Sequence, residues 1–166
     1  RHPAFSPDGK QIAFSWNGPN QDNFDIYMRF LEGGEPLRLT SHPGSDGWPA
    51  WSPDGKLLAF ISDRNGKRQL YLIHPAGGEA RQLTKLETGV NGFKWAQDGS
   101  RIAFTASDPE SKPMKDRKEK YGEFDIVQHD YTFTHLWVID LPAENADKPA
   151  EPVRLTEGTA FTVGGR

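Results

Sequence analysis

Apolar residues along the chain come in short bursts that alternate with small or polar ones, and the bursts return. Ile12-Ala13-Phe14, Leu58-Ala59-Phe60 and Ile102-Ala103-Phe104 each set two bulky side chains around an alanine. A strand sends neighbouring residues to opposite faces, so each triplet predicts a strand with one bulky face and one small face. Each is preceded by a turn signal. Ser6-Pro7-Asp8-Gly9 and Ser52-Pro53-Asp54-Gly55 are followed by Ala96-Gln97-Asp98-Gly99, which keeps only the Asp-Gly pair. Proline presets φ, aspartate bonds forward to the backbone and glycine accepts a positive φ, so these aspartates belong to hairpins rather than to chemistry. A first strand ends at Phe5, Trp51 or Trp95. A third carries Ile26-Tyr27, Leu70-Tyr71 or Leu136-Trp137, and a fourth closes on Leu39-Thr40, Leu83-Thr84 or Leu155-Thr156.

The spacing is regular. Asp8 to Asp54 is 46 residues, Asp54 to Asp98 is 44, and Gly33-Gly34-Glu35 returns 44 residues later as Gly77-Gly78-Glu79. A period of this length built from short strands is the signature of a β-propeller, one four-stranded blade per repeat. The expected fold is all-β: three four-stranded antiparallel blades, at about 1–41, 47–85 and 91–157, with the start of a next blade at about 160–166. Propellers close with about four to eight blades, so three leave two open apolar faces. Thr40 to Trp51 and Thr84 to Trp95 are both 11 residues, and the same step from Thr156 passes Arg166 by one. The expectation is a partial ring, with half of a six-bladed ring formed by two copies as the alternative.

The repeat breaks in its third copy. Asp54 to Tyr71 is 17 residues but Asp98 to Trp137 is 39, which places a charged insertion at about 107–133. Its Lys112, Lys115, Arg117, Lys118 and Lys120 are interleaved with Asp116, Glu119 and Glu123, the pattern of a solvated loop or short helix. Long loops on a rigid scaffold also carry function, so Lys115, Arg117, Lys118, Glu119, Tyr121 and Glu123 form the candidate partner or substrate-access loop. A smaller insertion, "PAENADKPAEP", reads as a flexible surface connection.

Composition narrows the chemistry. The 166 residues are 35% hydrophobic and 11% aromatic, with Gly 17 and Pro 13, which suits short strands and many turns. A formal net charge of −3 gives no reason to expect nucleic acid, and no apolar run is long enough to cross a bilayer as a helix. Cys 0 removes disulfides, thiolate metal sites and cysteine nucleophiles, and leaves the redox compartment open. There is no G-x-S-x-G elbow, no H-E-x-x-H helix, no phosphate-binding loop and no dinucleotide fingerprint, so no catalytic residue is named and no cofactor is expected. His129, Asp130 and His135 cluster without an evident third ligand. Asp22, Asp25, Asp63 and Asn65 could offer oxygens to a hard cation but read as turn polarity, so no metal is expected.

The repeated "PAWSPDGK", with "GGE" and the closing Leu-Thr pair, resembles the TolB-type propeller repeat of TolB proteins, bacterial regulators and prolyl oligopeptidase-family serine peptidases. "FKWAQDGSRIAFTASDPE", "KDRKEKYGEFD", "HLWVIDL" and "RLTEGTAFTVGG" are similar to the propellers of acylaminoacyl-peptidase and dipeptidyl-peptidase-like members. That resemblance implies a non-catalytic segment that limits peptide access to a separate α/β-hydrolase domain carrying Ser, Asp and His. The implied partners are the remaining blades and that domain, or a second copy of the chain. Some relatives hold the substrate's amino terminus with acidic propeller residues. Glu119 and Glu123 match no such motif residue for residue and are not given the role. The alternative function is a TolB-like protein-binding scaffold without enzymatic activity.

Overall fold

The computed structural model describes residues 1–109, 115–116, 119–120, 133–142 and 150–158. Twelve strands form three separate sheets. The first contains β1 (Ala4–Phe5), β2 (Gln11–Trp16), β3 (Asp25–Phe30) and β4 (Leu37–Arg38). The second contains β5 (Asp46–Trp51), β6 (Leu58–Ser62), β7 (Gln69–Ile73) and β8 (Arg81–Gln82). The third contains β9 (Gly92–Trp95), β10 (Arg101–Ser107), β11 (Thr134–Asp140) and β12 (Val153–Arg154). Within each sheet every strand pairs antiparallel with its neighbour in sequence, as in the blades of a propeller.

The register repeats with the sequence. Phe5 faces Ile12, Trp51 faces Leu58 and Trp95 faces Ile102. Phe14 faces Tyr27, Phe60 faces Tyr71 and Phe104 faces Trp137. The turns that set this register work as their residues require. Asp8 Oδ1 accepts the Ser6 hydroxyl at 2.6 Å and the Lys10 N–H at 3.0 Å, while Gly9 takes φ 69°. Asp54 repeats both bonds with Ser52 and Lys56. In the third copy, which lacks the leading serine, Ser100 donates both its hydroxyl, at 2.8 Å, and its N–H, at 3.0 Å, to Asp98. The donor has moved to the other side of the carboxylate and the turn is kept.

Packing explains the bulky-small-bulky triplets. Leu58 and Phe60 face the first sheet, where they meet Ala13, Ile26 and Met28. Ala59 and Ile61, on the opposite face of the same strand, pack with Ile102 and Phe104 of the third sheet. Each blade thus pushes bulk towards the blade before it and offers an alanine to the blade after it. Full burial of each large side chain stabilises by about 1.5–3 kcal/mol. An indole also bridges each junction: Trp51 Nε1 donates to Ala4 O at 3.0 Å, and Trp95 Nε1 donates to Ala50 O at 3.1 Å.

Candidate functional site

A four-stranded meander collects its first and third turns at one end. Its central connection and its exit to the next blade lie at the other. The chemistry gathers at this second end. There the segments leading into or along the first strand of each sheet read His2-Pro3-Ala4-Phe5, Trp48-Pro49-Ala50-Trp51 and Gly92-Phe93-Lys94-Trp95. These first strands are edges of their sheets, where proline at the first two removes a donor that another strand would need.

His2 and Trp48 occupy the same repeat position and share a left-handed backbone, φ 51° and 52°. The pairing of β5 with β6 shifts register between Gly47 and Ala50, which marks a bulge at Trp48. A bulky residue in this conformation costs about 1–3 kcal/mol, and bulges re-aim side chains. Trp48 is aimed outward and is 45% exposed. The His2 ring stacks on it at 4.4 Å between centroids, and the Arg68 guanidinium lies 4.4 Å from the Trp48 ring centre. Burial lowers the His2 pKa from its ordinary 6.5, and nearby positive charge, including Arg1 and Arg68, lowers it further.

Beneath this stack lies a cavity of about 230 Å³ bordered by His2, Phe24, Asp46, Trp48, Asp63 and Arg68. Asp46 is 1% exposed; Arg64 donates to its Oδ2 at 2.8 Å, while its Oδ1 has no hydrogen-bond partner. Arg68 Nε is likewise buried without one. The residues bordering the cavity thus include two with an enclosed polar atom that has no partner, Asp46 Oδ1 and Arg68 Nε, beside the exposed Trp48 ring.

A second polar feature repeats in every blade. The residue just before the third-strand landmark is Asp25, Gln69 or His135, each buried, and each meets the hydroxyl of the closing Leu-Thr pair. That hydroxyl accepts a backbone N–H from Ile26, Leu70 or Leu136. In the third blade the chain runs Asp108, His135, Thr156, at 3.1 and 3.3 Å, the order of groups in a nucleophilic triad. Its counterparts Asp25–Thr40 and Gln69–Thr84 fill the same place, however, and the arrangement is a structural clamp. Burial raises the Asp25 pKa against the opposing pull of its Arg38 partner, and the carboxylate in turn raises that of Arg38. These clamps were missed in the sequence; the signal was a polar residue standing ahead of the landmark in all three copies.

The residues of the charged insertion divide. Lys115 and Glu119 are exposed and helical, and Lys115 Nζ lies 2.8 Å from Glu87 Oε1 in the connection between the second and third blades. Arg117, Lys118, Tyr121 and Glu123 lie outside the described residues, as do His129 and Asp130. The possible cation ligands do not converge. Asp25 binds Arg38 and Thr40, Asp63 accepts the Ser45 N–H at 2.7 Å, and the Asn65 amide donates to Tyr71 and Gln82. Among the described residues no three His, Asp or Glu side chains stand together as a metal set. No helix of the described residues is long and apolar enough to cross a membrane.

Comparison with known proteins follows this geometry. The family model described as TolB beta propeller domain matches residues 1–132. The chain is 39% identical over 124 residues to Uncharacterized peptidase YuxL of Bacillus subtilis, covering 70% of this chain and 19% of that protein. It is 32% identical over 170 residues to Dipeptidyl-peptidase 5 of Porphyromonas endodontalis, covering 95% of this chain and 25% of that protein. The solved acylaminoacyl peptidase of Pyrococcus horikoshii superposes with a TM-score of 0.61 at 18% identity, over 93% of this chain and 25% of that one. At that identity the superposition speaks for fold alone. The chain spans a quarter or less of the length of these two curated relatives.

Proposed function

The chain belongs to the TolB beta propeller domain family, and from that premise we propose that it is a non-catalytic part of a serine peptidase's propeller, limiting which substrates reach a separate α/β-hydrolase domain. The observation that carries this reading is the 32% identity across 95% of the chain with a protein named Dipeptidyl-peptidase 5. The stack of His2, Trp48 and Arg68 at the axial end is the proposed contact for entering peptides. The insertion residues Lys115, Arg117, Lys118, Glu119, Tyr121 and Glu123 form the proposed access loop. In this reading the remaining blades and the hydrolase domain are the partners, and the further blade begins at about 160–166.

The test is made on the parent protein. Its coding sequence should continue into a domain with a G-x-S-x-G elbow, and a serine-directed reagent should abolish its peptide hydrolysis. Trp48→Ala should then alter kcat/KM for longer peptides more than for a minimal chromogenic substrate. A parent without such a domain or without reagent-sensitive hydrolysis ends the peptidase reading. It would favour the scaffold reading, in which the same exposed Trp48 surface engages a protein.

A further inference from the structure

Asn-Gly occurs at Asn17, Asn65 and Asn91, and the sequence ranks none of these pairs above the others. Such a pair is a site of spontaneous chemistry. Glycine has no Cβ to keep its backbone nitrogen away from the side-chain amide of the asparagine before it, so the two can close a ring. The structure sets Asn65-Gly66 apart. It forms the turn between β6 and β7, in the sheet packed by another sheet on each side, and Asn65 is exposed to water. Both groups that would react are tied. The Gly66 N–H donates to Asp63 O at 2.8 Å. The Asn65 amide donates to Tyr71 Oη at 2.8 Å and to Gln82 Oε1 at 2.9 Å. Gln82 is held in that orientation because its own amide donates to Thr84 O at 2.8 Å. The Asn91 amide, by contrast, reaches only the Ser107 hydroxyl, at 3.3 Å.

We propose that Asn65 is a site of spontaneous deamidation that Tyr71 and Gln82 hold in check. The Gly66 nitrogen attacks Asn65 Cγ and forms a C–N bond, which closes a succinimide. The Cγ–Nδ2 bond breaks, and the proton lost from Gly66 passes through water to the departing ammonia. A water molecule then opens either carbonyl of the ring, leaving aspartate or isoaspartate. Water is the only co-reactant. Ring closure requires the Asn65 amide to swing off both acceptors and Gly66 to leave Asp63 O, so its rate follows the local opening of this turn. The product does not suit the place. A carboxylate has no N–H to give, and it would set an acceptor against Gln82 Oε1. The change falls next to Arg64, the partner of buried Asp46, and against Gln82, which is bonded to the closing threonine of the same blade. Deamidation therefore loosens the outer strand of the middle blade, and the bonds to Tyr71 and Gln82 delay it. This inference does not rest on the peptidase reading, because it concerns the turn alone and reads no hydrolysis of substrate.

Mass spectrometry of the peptides spanning Asn65 and Asn91 tests it, after incubation of the parent protein in isotope-labelled water at mildly alkaline pH. Labelled oxygen in the product marks deamidation during the incubation. Folded wild type should deamidate at Asn65 about tenfold or more slowly than the same protein unfolded in urea. Tyr71→Phe and Gln82→Ala each remove one acceptor and should each speed the reaction at Asn65 by about two- to tenfold. Neither should change the rate at Asn91, which serves as the control for a general loss of folding. A folded wild type that reacts at Asn65 as fast as the unfolded protein overturns the proposal. So does a rate at Asn65 that either variant leaves unchanged, or one that rises only in step with Asn91.

Discussion

Thr84 satisfies two buried groups with one oxygen: its hydroxyl accepts the Leu70 N–H at 3.0 Å and donates to Gln69 Oε1 at 2.8 Å. Thr84→Val keeps the shape, leaves the buried Leu70 N–H unmet and leaves Gln69 Oε1 with the Leu86 N–H alone. A loss of about 1–3 kcal/mol is expected, read as a lower urea midpoint with an unchanged m-value. A full-sized effect at Thr84 with none at Thr40 would show that the clamp does not act as a repeated device. The turn carboxylates give a pH prediction. Asp8 and Asp54 are held below the ordinary 3.8 first by the serine hydroxyl and then by the lysine N–H; Asp98 is held there first by the Ser100 N–H and then by its hydroxyl. A depressed carboxyl pKa adds stability that is present above its unfolded value and is lost as pH falls through its folded one. Thermal unfolding should therefore worsen below pH about 4, and a triple Asp→Asn variant should flatten that acid limb. An unchanged limb would count against the turns as its source.

At the scale of elements, the strands could be read in the residues because short-range chemistry fixes them. Pro7, Asp8 and Gly9 set one turn, and Ile12-Ala13-Phe14 has only one way to alternate. The site was harder to read, because it depends on where strands from different repeats meet. Nothing local to Trp48 distinguishes it from a core tryptophan, and only its alignment with His2, ahead of Pro-Ala-aromatic, marks the position. The close approach beside Asp46 was equally hidden. Gly44 carries no side chain because a Cβ there would lie 2.6 Å from Arg64 Cα and 2.8 Å from Arg64 N. Gly44→Ala must displace the backbone that carries the Arg64 partner of Asp46, and a destabilisation of about 1–3 kcal/mol is expected. The junction indole gives a milder case. Trp51→Phe keeps most of the packing and removes the bond to Ala4 O, for a loss of about 0.5–1.5 kcal/mol in denaturant titration. No loss at all would remove the indole bond as a source of junction strength.

Across the whole molecule, stability is set by neighbours, as in any array whose repeats touch only the next one. The second sheet has a blade on each side, and all of β6 and β7 is buried. Among the described residues the outer sheets have one neighbouring sheet each. The same substitution at the same repeat position should therefore differ in effect with location. Phe60 is fully buried between the first two blades, and its counterpart Phe14 is only partly buried on the open flank. Phe60→Ala should cost about 3–5 kcal/mol, within the range for deleting a core aromatic, and Phe14→Ala clearly less. Hydrogen exchange offers the same comparison without mutation. Amides of β6 and β7 should exchange most slowly, and those of β2 and β10 should open at lower free energy. Uniform protection would contradict nearest-neighbour stability, since it would require the outer blades to hold as firmly with one partner as the middle blade does with two.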